Sequence, residues 1–465
     1  MKREGKLLVQ RAVLAALVAA ISAPVIAAAN DWRDGDRSNE VRRAIDGGRA
    51  RNVILFLGDG MGDSEITIAR NYQVGAAGRL NMDKLPLTGA YTTYAVQESN
   101  PSLPEYVTDS AASGTGWATG HKTSNGRIST VPGSTTVAPY TTILELAQKA
   151  GLKTGNVSTA EITDATPAVL ASHVNARGCQ GPTDMGSCGA YKKANGGPGS
   201  IAEQLVDHHV DVLLGGGKRR FDQIIDGGPF AGQSVIDSAT AQGYTVVTTA
   251  AELAGTTPGQ RVLGLFTSGN MRLEWRGDLA LPFPGSGPQR CVEDQRPENE
   301  PSLADMTAKA IELLEQKSRY PWSRNRGFFL QVEGASIDKQ DHASNPCGQI
   351  GENIAFDKAV AVGLAYAKRH PDTLIIVTAD HAHTSQIISP VPPTQTDHPG
   401  AFSVLITADS AEMTVNYASE PPGSSQSHTG AQLRIAAQGP QAANVVGVTD
   451  QTDLFHTMAR ALGLE

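Results

Sequence analysis

Three apolar segments of the sequence, 52–57, 327–332 and 373–378, are closely followed by side chains of the kinds that bind metal ions. Each segment has the continuous apolar pattern of a strand buried on both faces. The carboxyl ends of parallel strands meet at one edge of a sheet, where α/β folds place their sites. The candidate ligands at this edge are Asp59, then Glu333, Asp338 and His342, and finally Asp380 and His381.

These side chains also suit different ions, since histidine favours zinc and a set of oxygens favours magnesium. Asp338 and His342 are four residues apart, which places them on one face of a helical turn and suits a shared metal. An ordinary ion pair would explain the same spacing. Likewise, Asp59 stands among glycines and would also fit a simple turn.

A candidate nucleophile lies in the segment of small residues 108–120. Asp109 and Ser110 stand where a helix would begin, and the N-terminus of a helix attracts oxyanions. A serine placed there could attack phosphorus if metal ions activated its hydroxyl group. The alternative is that Asp109 or Ser110 only caps the helix.

Three further segments supply candidate site residues. Asp164 and Thr166 alternate through Ala165, so both oxygens face one side, although they would also cap a helix starting at Pro167. Arg177 follows, and its guanidinium group fits two phosphate oxygens. His428 lies in a polar loop that gives no local indication of its role. Paired zinc ions and an arginine together indicate phosphoryl transfer.

The elements that would position these residues alternate along the chain. Helical segments are predicted at 63–71, 140–150, 303–316 and 350–369, between the buried strands. We therefore predict a three-layer α/β sandwich with a large, mostly parallel central sheet and helices on both faces. Segments 402–408 and 412–417 are predicted as strands of a β-rich edge. Without internal repeats or a long linker, residues 52–465 are expected to form a single catalytic domain.

The composition, with 40% hydrophobic and 18% charged residues among 465, is that of an ordinary globular chain. The net charge is −8 and no long basic run occurs, which argues against a nucleic-acid or anionic membrane partner. A phosphate site in this chain has to be positive locally.

The N-terminal residues 1–29 have the pattern of a secretory signal peptide. Four basic residues flank or precede an apolar segment, and Ala27–Ala29 forms the end of the pattern. An uncleaved membrane anchor is the alternative, but the Ala-rich segment and its small-residue end favour cleavage. The mature chain would have a net charge of −11 and no membrane anchor. Residues 30–51 are polar and are interpreted as an N-terminal arm.

Four cysteines, an even number in a chain expected to be secreted, favour two disulfides. Their proximity in the sequence suggests the pairs Cys179–Cys188 and Cys291–Cys347. A zinc site made of cysteines is the alternative, but the sequence has no C-x-x-C spacing.

Five motifs together resemble those of the bacterial alkaline phosphatases, and the resemblance covers nearly the whole mature chain. The motifs are 58–64 (GDGMGDS), 108–113 (TDSAAS), 332–338 (VEGASID), 378–381 (TADH) and 428–430 (HTG). The resemblance implies the alkaline phosphatase fold and a phosphomonoesterase with a phosphoserine intermediate at Ser110. It also implies that Arg177, steadied by Asp109, binds the substrate phosphate.

The same resemblance implies two Zn²⁺ and one Mg²⁺ per subunit. Lys339 and Asp164 resemble the subtype that has lysine and aspartate rather than histidines at these two positions, and Lys339 is then expected near the substrate. His383 is expected to orient a zinc ligand. The implied ligands are Asp338, His342 and His428 for one zinc, Asp59, Asp380 and His381 for the other, and Asp59, Asp164, Thr166 and Glu333 for magnesium.

The family resemblance further implies a secreted, periplasmic homodimer of broad specificity and alkaline optimum that scavenges phosphate. The arm is short for the family, and loops 320–326 and 389–399 are individual to this chain. Three alternatives to a phosphomonoesterase remain: a phosphodiesterase or a sulfatase of the same superfamily, or a periplasmic phosphate- or zinc-binding protein without turnover. Ser110 lacks the Cys/Ser-x-Pro-x-Arg signal that surrounds a sulfatase nucleophile.

Overall fold

The structure is a computed structural model and describes residues 38–315 and 326–464. The predicted signal peptide and residues 320–325 of the predicted individual loop lie outside the described residues. Backbone contacts separate a unit ending at Arg42 from a unit of residues 43–465. A helix, Ser38–Ala44, has no buried residues. Among the described residues, no helix has the length and apolar character needed to cross a membrane.

The main unit is built on a sheet of ten strands. The strands, in sheet order, are β18 (Gly447–Asp450), β2 (Leu87–Thr92), β17 (Leu433–Gln438), β13 (Thr373–Ala379), β1 (Asn52–Gly58), β12 (Phe328–Gly334), β5 (Lys153–Glu161), β6 (Val212–Gly216), β8 (Arg261–Leu265) and β7 (Tyr244–Val247). The six neighbouring pairs from β13 to β7 are all parallel, whereas β17 runs antiparallel to both of its neighbours.

The remaining strands form smaller sheets. A four-stranded sheet has the order β10 (Ser286–Gln289), β15 (Ala401–Ile406), β16 (Glu412–Tyr417) and β14 (Ser385–Ile388), and two ribbons pair β9 (Trp275–Arg276) with β11 (Val292–Glu293) and β3 (Ala95–Val96) with β4 (Pro104–Glu105). The predicted strands at 402–408 and 412–417 therefore exist as β15 and β16, and they pair with each other in this separate sheet.

Helices cover both faces of the main sheet. Apart from α1 (Ser38–Ala44), which has no buried residues, the α-helices of the described residues are α2 (Asp63–Val74), α3 (Ser110–Thr119), α4 (Ile143–Lys149), α5 (Ala165–Ala168), α6 (Ile201–Asp207), α7 (Lys218–Phe221), α8 (Val235–Ala241), α9 (Ala250–Ala254), α10 (Leu303–Leu314), α11 (Ser336–His342), α12 (Pro346–Arg369) and α13 (Asp453–Leu462). Helices α10 and α12 pack together on the central strands, while α3 and α13 pack together and α13 also contacts β1. The predicted three-layer α/β fold is confirmed.

The centre of the sheet is buried, and the sequences of its strands are largely apolar. Every residue of β1, β12 and β13 is buried, as their continuous apolar patterns predict. Helix α12 approaches β1 closely at Gly363, where a Cβ atom would lie 2.5 Å from the ring of Phe56. Phe56 in turn makes an edge contact with Phe356, with ring centroids 6.3 Å apart. This packing fixes the strands whose ends carry the candidate ligands.

All four cysteines form disulfides, with the predicted pairing Cys179–Cys188 and Cys291–Cys347. The first lies immediately after Arg177, where the N–H of Cys179 also donates to the carbonyl of Ala176. The disulfide therefore constrains the loop that carries the predicted phosphate-binding arginine.

Candidate active site

The turn after β1 is bonded to the ends of both neighbouring strands. The N–H of Asp59 donates to the carbonyl of Gly334 at 3.1 Å, and the carbonyl of Asp59 accepts from the N–H of Asp338 at 3.0 Å. On the other side, the N–H of Gly60 donates to Oδ1 of Asp380 at 2.9 Å. Gly60 has a φ of +66°, and a Cβ atom there would lie 3.0 Å from the Cα of Asp338, so the turn requires glycine. Three predicted ligands thus lie side by side.

Asp338 is surrounded by three histidines, which form with it the histidine cluster (Asp338, His342, His383 and His428). Its Oδ1 atom lies 3.1 Å from Nε2 of His428 and 3.3 Å from Nε2 of both His342 and His383. The two Nε2 atoms of His342 and His428 are only 3.2 Å apart. The loop that carries His428 is therefore part of the site, although its own sequence gave no such indication.

The hydrogen bonds of two of these histidines determine which ring nitrogen is free. Nδ1 of His342 faces the carbonyl of Gln426, and Nδ1 of His428 lies 3.2 Å from the carbonyl of Thr108. A carbonyl oxygen only accepts, so each Nδ1 carries a hydrogen. The Nε2 lone pairs of the neutral rings then converge with the carboxylate of Asp338, which is the geometry of metal ligands.

His383 is bonded differently from its neighbours. Its Nδ1 accepts the N–H of Thr384 at 2.9 Å, so the hydrogen of the neutral ring lies on Nε2, which faces Asp338. His383 therefore presents an N–H group to Asp338 at 3.3 Å, although the two groups are not aligned for a hydrogen bond. This supports the expectation that it orients a ligand.

A second group, the aspartate cluster (Asp59, Asp380 and His381), is fully buried. Nε2 of His381 lies 3.4 Å from Oδ1 of Asp59 and 3.3 Å from Oδ2 of Asp380. The same Nε2 atom lies 3.3 Å from Oγ of Ser110. The candidate nucleophile is thus in contact with the second predicted metal group.

Ser110 is the first residue of α3 and is buried. Asp109 caps this helix, since its side chain accepts the N–H of Ala112 at 2.9 Å and that of Gly126 at 3.0 Å. The cap that the sequence offered as an alternative to catalysis is therefore present. It also holds Ser110 at the positive end of the helix, so the two interpretations are compatible.

Arg177 and Lys339 are joined by one carboxylate. Nη1 of Arg177 donates to Asp109 at 3.2 Å and Nη2 donates to Oδ1 of Asp164 at 3.0 Å, while Nζ of Lys339 donates to Oδ2 of Asp164 at 3.0 Å. The predicted contact between Arg177 and Asp109 is present. The two bonds to Asp164 were not foreseen, since the sequence suggested only a cap or a magnesium ligand.

The oxygen group predicted for magnesium lies on β12 and α5. Glu333 accepts a hydrogen bond from Ser158, which is opposite it in the register of β12 and β5. Sequence reasoning missed Ser158, because only the strand pairing reveals this neighbour. Helix α5 begins at Ala165 and Asp164 is its N-cap, so Pro167 is not its first residue as predicted. The hydroxyl of Thr166 is buried and has no hydrogen-bond partner among the described residues.

The site concentrates negative charge away from water. Burial raises the pKa of Asp59 well above its ordinary value, and repulsion from Asp338 and Asp380 raises it further. Burial also raises the pKa of Glu333 to about 8. For Asp338, burial opposes ionisation, but the surrounding histidines His383, His428, His381 and His342 hold the pKa of its carboxyl well below its usual range.

Bound cations would offset the buried negative charge and provide partners for the buried polar atoms of this site. Ligand-type atoms, namely Oδ1 of Asp59, Oδ1 of Asp338, Oδ2 of Asp380 and the hydroxyl of Thr166, are buried without a hydrogen-bond partner among the described residues. Buried polar groups are costly unless they are satisfied. Because two of the groups combine imidazole nitrogens with carboxylates, and the third contains only oxygens, the residues fit divalent metal ions.

Sequence comparison identifies the family. A family model described as alkaline phosphatase matches residues 50–421 and 403–464. The chain belongs to the alkaline phosphatase family. An alkaline phosphatase of Escherichia fergusonii is 51% identical over 440 residues, which cover 93% of this chain and 90% of the relative. The streptomycin-6-phosphate phosphatase of Streptomyces griseus is 51% identical over 417 residues, covering 89% of this chain and 91% of that protein.

Solved structures agree on the fold of this alkaline phosphatase. The cold-active alkaline phosphatase of a psychrophilic Shewanella species has 25% identity and a TM-score of 0.64, covering 88% of this chain and 99% of that chain. The Thermus thermophilus alkaline phosphatase has 22% identity and a TM-score of 0.65, and the match covers 93% of this chain and 95% of that chain. The chain is therefore an enzyme, a phosphomonoesterase of this family, and a binding protein without turnover is set aside.

Proposed function

We propose that this alkaline phosphatase hydrolyses phosphate monoesters in two displacements at phosphorus, with a phosphoserine at Ser110 between them. The observation that carries the proposal is the position of Ser110 at the N-terminus of α3, with its Oγ 3.3 Å from Nε2 of His381. Asp109, the preceding residue, contacts Arg177. One short segment thus links the nucleophile to the arginine that would hold the phosphate.

We assign one zinc to Asp338, His342 and His428, and the other to Asp59, Asp380 and His381. Magnesium is assigned to Asp59, Asp164, Thr166 and Glu333, where the unpartnered hydroxyl of Thr166 supports a ligand role. When bound, these ions supply positive charge that lowers the pKa of a hydroxyl nucleophile and stabilises charge at phosphorus. His383 would orient Asp338 through its Nε2–H group, which faces Oδ1 of Asp338 at 3.3 Å.

The side chains of the site then have the following roles in the reaction. Oγ of Ser110 attacks phosphorus, the alcohol leaves from the opposite side, and water later attacks the phosphoserine to release inorganic phosphate. The guanidinium group of Arg177 binds two phosphate oxygens, and Asp109 holds that group in place. Lys339 contributes a second positive charge beside Arg177. Two inversions at phosphorus give overall retention.

The proposed substrates are phosphate monoesters in general, and the proposed physiological role is phosphate scavenging at alkaline pH. The alternative is a dedicated role, in which the enzyme hydrolyses one specific substrate. It arises because the streptomycin-6-phosphate phosphatase matches this chain with the same 51% identity as the E. fergusonii enzyme. Comparing kcat/KM for streptomycin 6-phosphate with kcat/KM for an aryl phosphate and a sugar phosphate distinguishes the two. Similar values support broad specificity, and a preference of 100-fold or more, roughly 2.7 kcal/mol, supports the dedicated role.

We also propose that the chain is secreted to the periplasm after cleavage of residues 1–29, and that it works there as a homodimer. The two disulfides support an oxidising compartment. Residues 30–51 remain a proposed arm. Mass spectrometry of the protein from the periplasmic fraction would give the cleavage position, and sedimentation would give the oligomeric state.

The substitution Ser110→Ala tests the nucleophile. It removes the attacking oxygen, so turnover of an aryl phosphate is expected to fall by several orders of magnitude, as in other hydrolases that lose their nucleophile. Zinc content is expected to stay the same, because Asp59, Asp380 and His381 are intact. The measurements are steady-state rates, metal analysis, and trapping of a phosphoenzyme after an acid quench.

Ser238→Ala is the matched control, since the hydroxyl of Ser238 only donates to the carbonyl of Val235 within α8. It should form phosphoenzyme at the normal rate. A phosphoenzyme with a normal burst in Ser110→Ala would contradict the assignment. Faster hydrolysis of an aryl phosphodiester or an aryl sulfate than of the monoester would contradict the proposed substrate class.

A further inference from the structure

A third group of ligand-type side chains lies outside the catalytic centre. It consists of Glu145 on α4, His173 in the loop after α5, and His208 at the C-terminal end of α6, and it shares no residue with the two catalytic clusters. Oε1 of Glu145 lies 3.0 Å from Nε2 of His173 and 3.5 Å from Nδ1 of His208. Residues far apart in the sequence therefore converge on one carboxylate oxygen.

The ring of His173 is fixed so that its free nitrogen faces this oxygen. Its Nδ1 atom lies 3.0 Å from the carbonyl of Ser129, which only accepts, so Nδ1 carries a hydrogen. In the neutral ring, Nε2 therefore presents a lone pair to Oε1 of Glu145 at 3.0 Å. Two acceptors at this distance need a positive group between them, either a second ring proton or a cation.

The three side chains are also held in place by their surroundings. The other oxygen of Glu145 accepts the N–H of Thr142 in a capping box, which leaves Oε1 directed at the histidines. The side chain of Gln204 bonds both the N–H and the carbonyl of His173, and the carbonyl of Gln204 accepts the N–H of His208. In addition, the hydrogen bond from Nδ1 of His173 to the carbonyl of Ser129 is the kind of outer support that metal-binding histidines have.

Two imidazole nitrogens and one carboxylate oxygen are a zinc donor set that leaves one position open. All three ligand atoms lie within 4.8 Å of one another. Zinc bonds of about 2.0–2.1 Å in tetrahedral geometry place ligands roughly 3.3 Å apart, between the two observed separations of 3.0 and 3.5 Å. The side chains of Glu145 and His208 are 23% and 27% exposed, so an ion and a water molecule can reach the site.

We propose that Glu145, His173 and His208 bind a Zn²⁺ ion, separate from the catalytic metals, that ties α4 and α6 to the loop carrying His173. The ion would be structural, because none of these side chains contacts the candidate nucleophile. It would stabilise the fold by binding only the folded chain.

The test compares the wild type with His208→Ala and with His209→Ala, a neighbouring histidine outside the group. Each mature protein, loaded with its catalytic metals, is equilibrated with increasing Zn²⁺, and bound zinc per chain and the melting temperature are measured. The wild type and His209→Ala are expected to bind one zinc more than His208→Ala, and only in those two should this zinc raise the melting temperature. Turnover of an aryl phosphate should be the same in all three.

Glu145→Gln provides a second variant, because it keeps an oxygen to accept from Thr142 but removes the charge. It is expected to lower zinc affinity at this site by more than tenfold, roughly 1.4 kcal/mol. If His208→Ala and Glu145→Gln bind as much zinc as the wild type with the same affinity, the proposal is wrong. Glu145 and His173 then form an ordinary ion pair without metal.

Discussion

Nζ of Lys339 lies 3.0 Å from Oδ2 of Asp164, whose other oxygen accepts from Arg177 at 3.0 Å. Burial alone would raise the pKa of Asp164, but the charges of Lys339 and Arg177 hold it below its ordinary value. In return, although burial opposes it, the charge of Asp164 raises the pKa of Lys339. The carboxylate therefore holds the two cationic side chains in a fixed position beside the proposed metal sites.

Lys339→Ala is expected to weaken the binding of inorganic phosphate. A hydrogen bond to a charged group is worth about 1.5–3 kcal/mol, so the inhibition constant of phosphate should rise by roughly 10- to 100-fold. Zinc content should not change. The control is Lys218→Ala, which removes an exposed lysine paired with Asp222 on α7. An unchanged inhibition constant in Lys339→Ala would exclude Lys339 from phosphate binding.

The centre of the fold could be predicted from the sequence because three strands are buried on both faces. In β1, β12 and β13 the apolar pattern fixes both the element and its burial, and their carboxyl ends then meet by topology. The antiparallel strand β17 has no comparable pattern, and it was missed. The strands β15 and β16 were found, but their assignment to a separate sheet depends on long-range pairing.

Within the site, too, residues that directly follow buried strands could be predicted, whereas contacts that depend on long-range pairing could not. Asp59, Asp338 and Asp380 follow strands, so the sequence could place them together. The proximity of Ser158 to Glu333 depends on strand register, and the two bonds of Asp164 depend on where the loop of Arg177 returns. Local sequence specifies neither. His428 could be assigned only through the family resemblance, because no pattern around it indicates the histidine cluster.

Arg177→Ala is expected to raise KM more than it lowers kcat. Its guanidinium group binds phosphate oxygens that are charged in both the substrate and the transition state, so most of its contribution is uniform binding. Arg276→Ala, which removes an arginine with a 70% exposed side chain, should leave both constants unchanged. Steady-state kinetics with an aryl phosphate decide this. A loss confined to kcat would mean that Arg177 acts mainly in the transition state.

Glu352 on α12 should make stability depend on pH. Burial, with repulsion from Glu274, raises its pKa from 4.5 to about 8. Between these two values the folded chain keeps a proton that the unfolded chain has released, so the free energy of unfolding falls as pH rises through this window. The free energy of unfolding falls by at most about 1.4 kcal/mol per pH unit.

Glu352→Gln keeps an oxygen to accept the N–H of Glu274, which the native Oε1 accepts at 2.9 Å, but it has no proton to lose. The melting temperature of this variant should fall less than that of the wild type between pH 5 and about 8. Glu312→Gln, at a 55% exposed position, should follow the wild type. If the melting temperatures of Glu352→Gln and the wild type fell equally as pH rises, Glu352 would not titrate in this pH window.

His428→Ala is expected to make activity dependent on added zinc. Nε2 of His428 lies 3.1 Å from Oδ1 of Asp338 and 3.2 Å from Nε2 of His342, so its removal leaves that proposed zinc two protein ligands. Zinc affinity should fall there, while the zinc assigned to the aspartate cluster stays in place. Because Ser110 and Arg177 remain, excess zinc should restore part of the rate by mass action.

The control for this last variant is His456→Ala, which removes a histidine from the exposed side of α13. It should have the metal content and rate of the wild type, with no response to added zinc. The alternative role of His428 is a hydrogen bond from Nδ1 to the carbonyl of Thr108, which is two residues before Ser110. His428→Asn tests that role, since its amide can donate to Thr108 but is a poor zinc ligand. If His428→Asn had full activity and normal zinc content, His428 would only position the loop and would not bind metal.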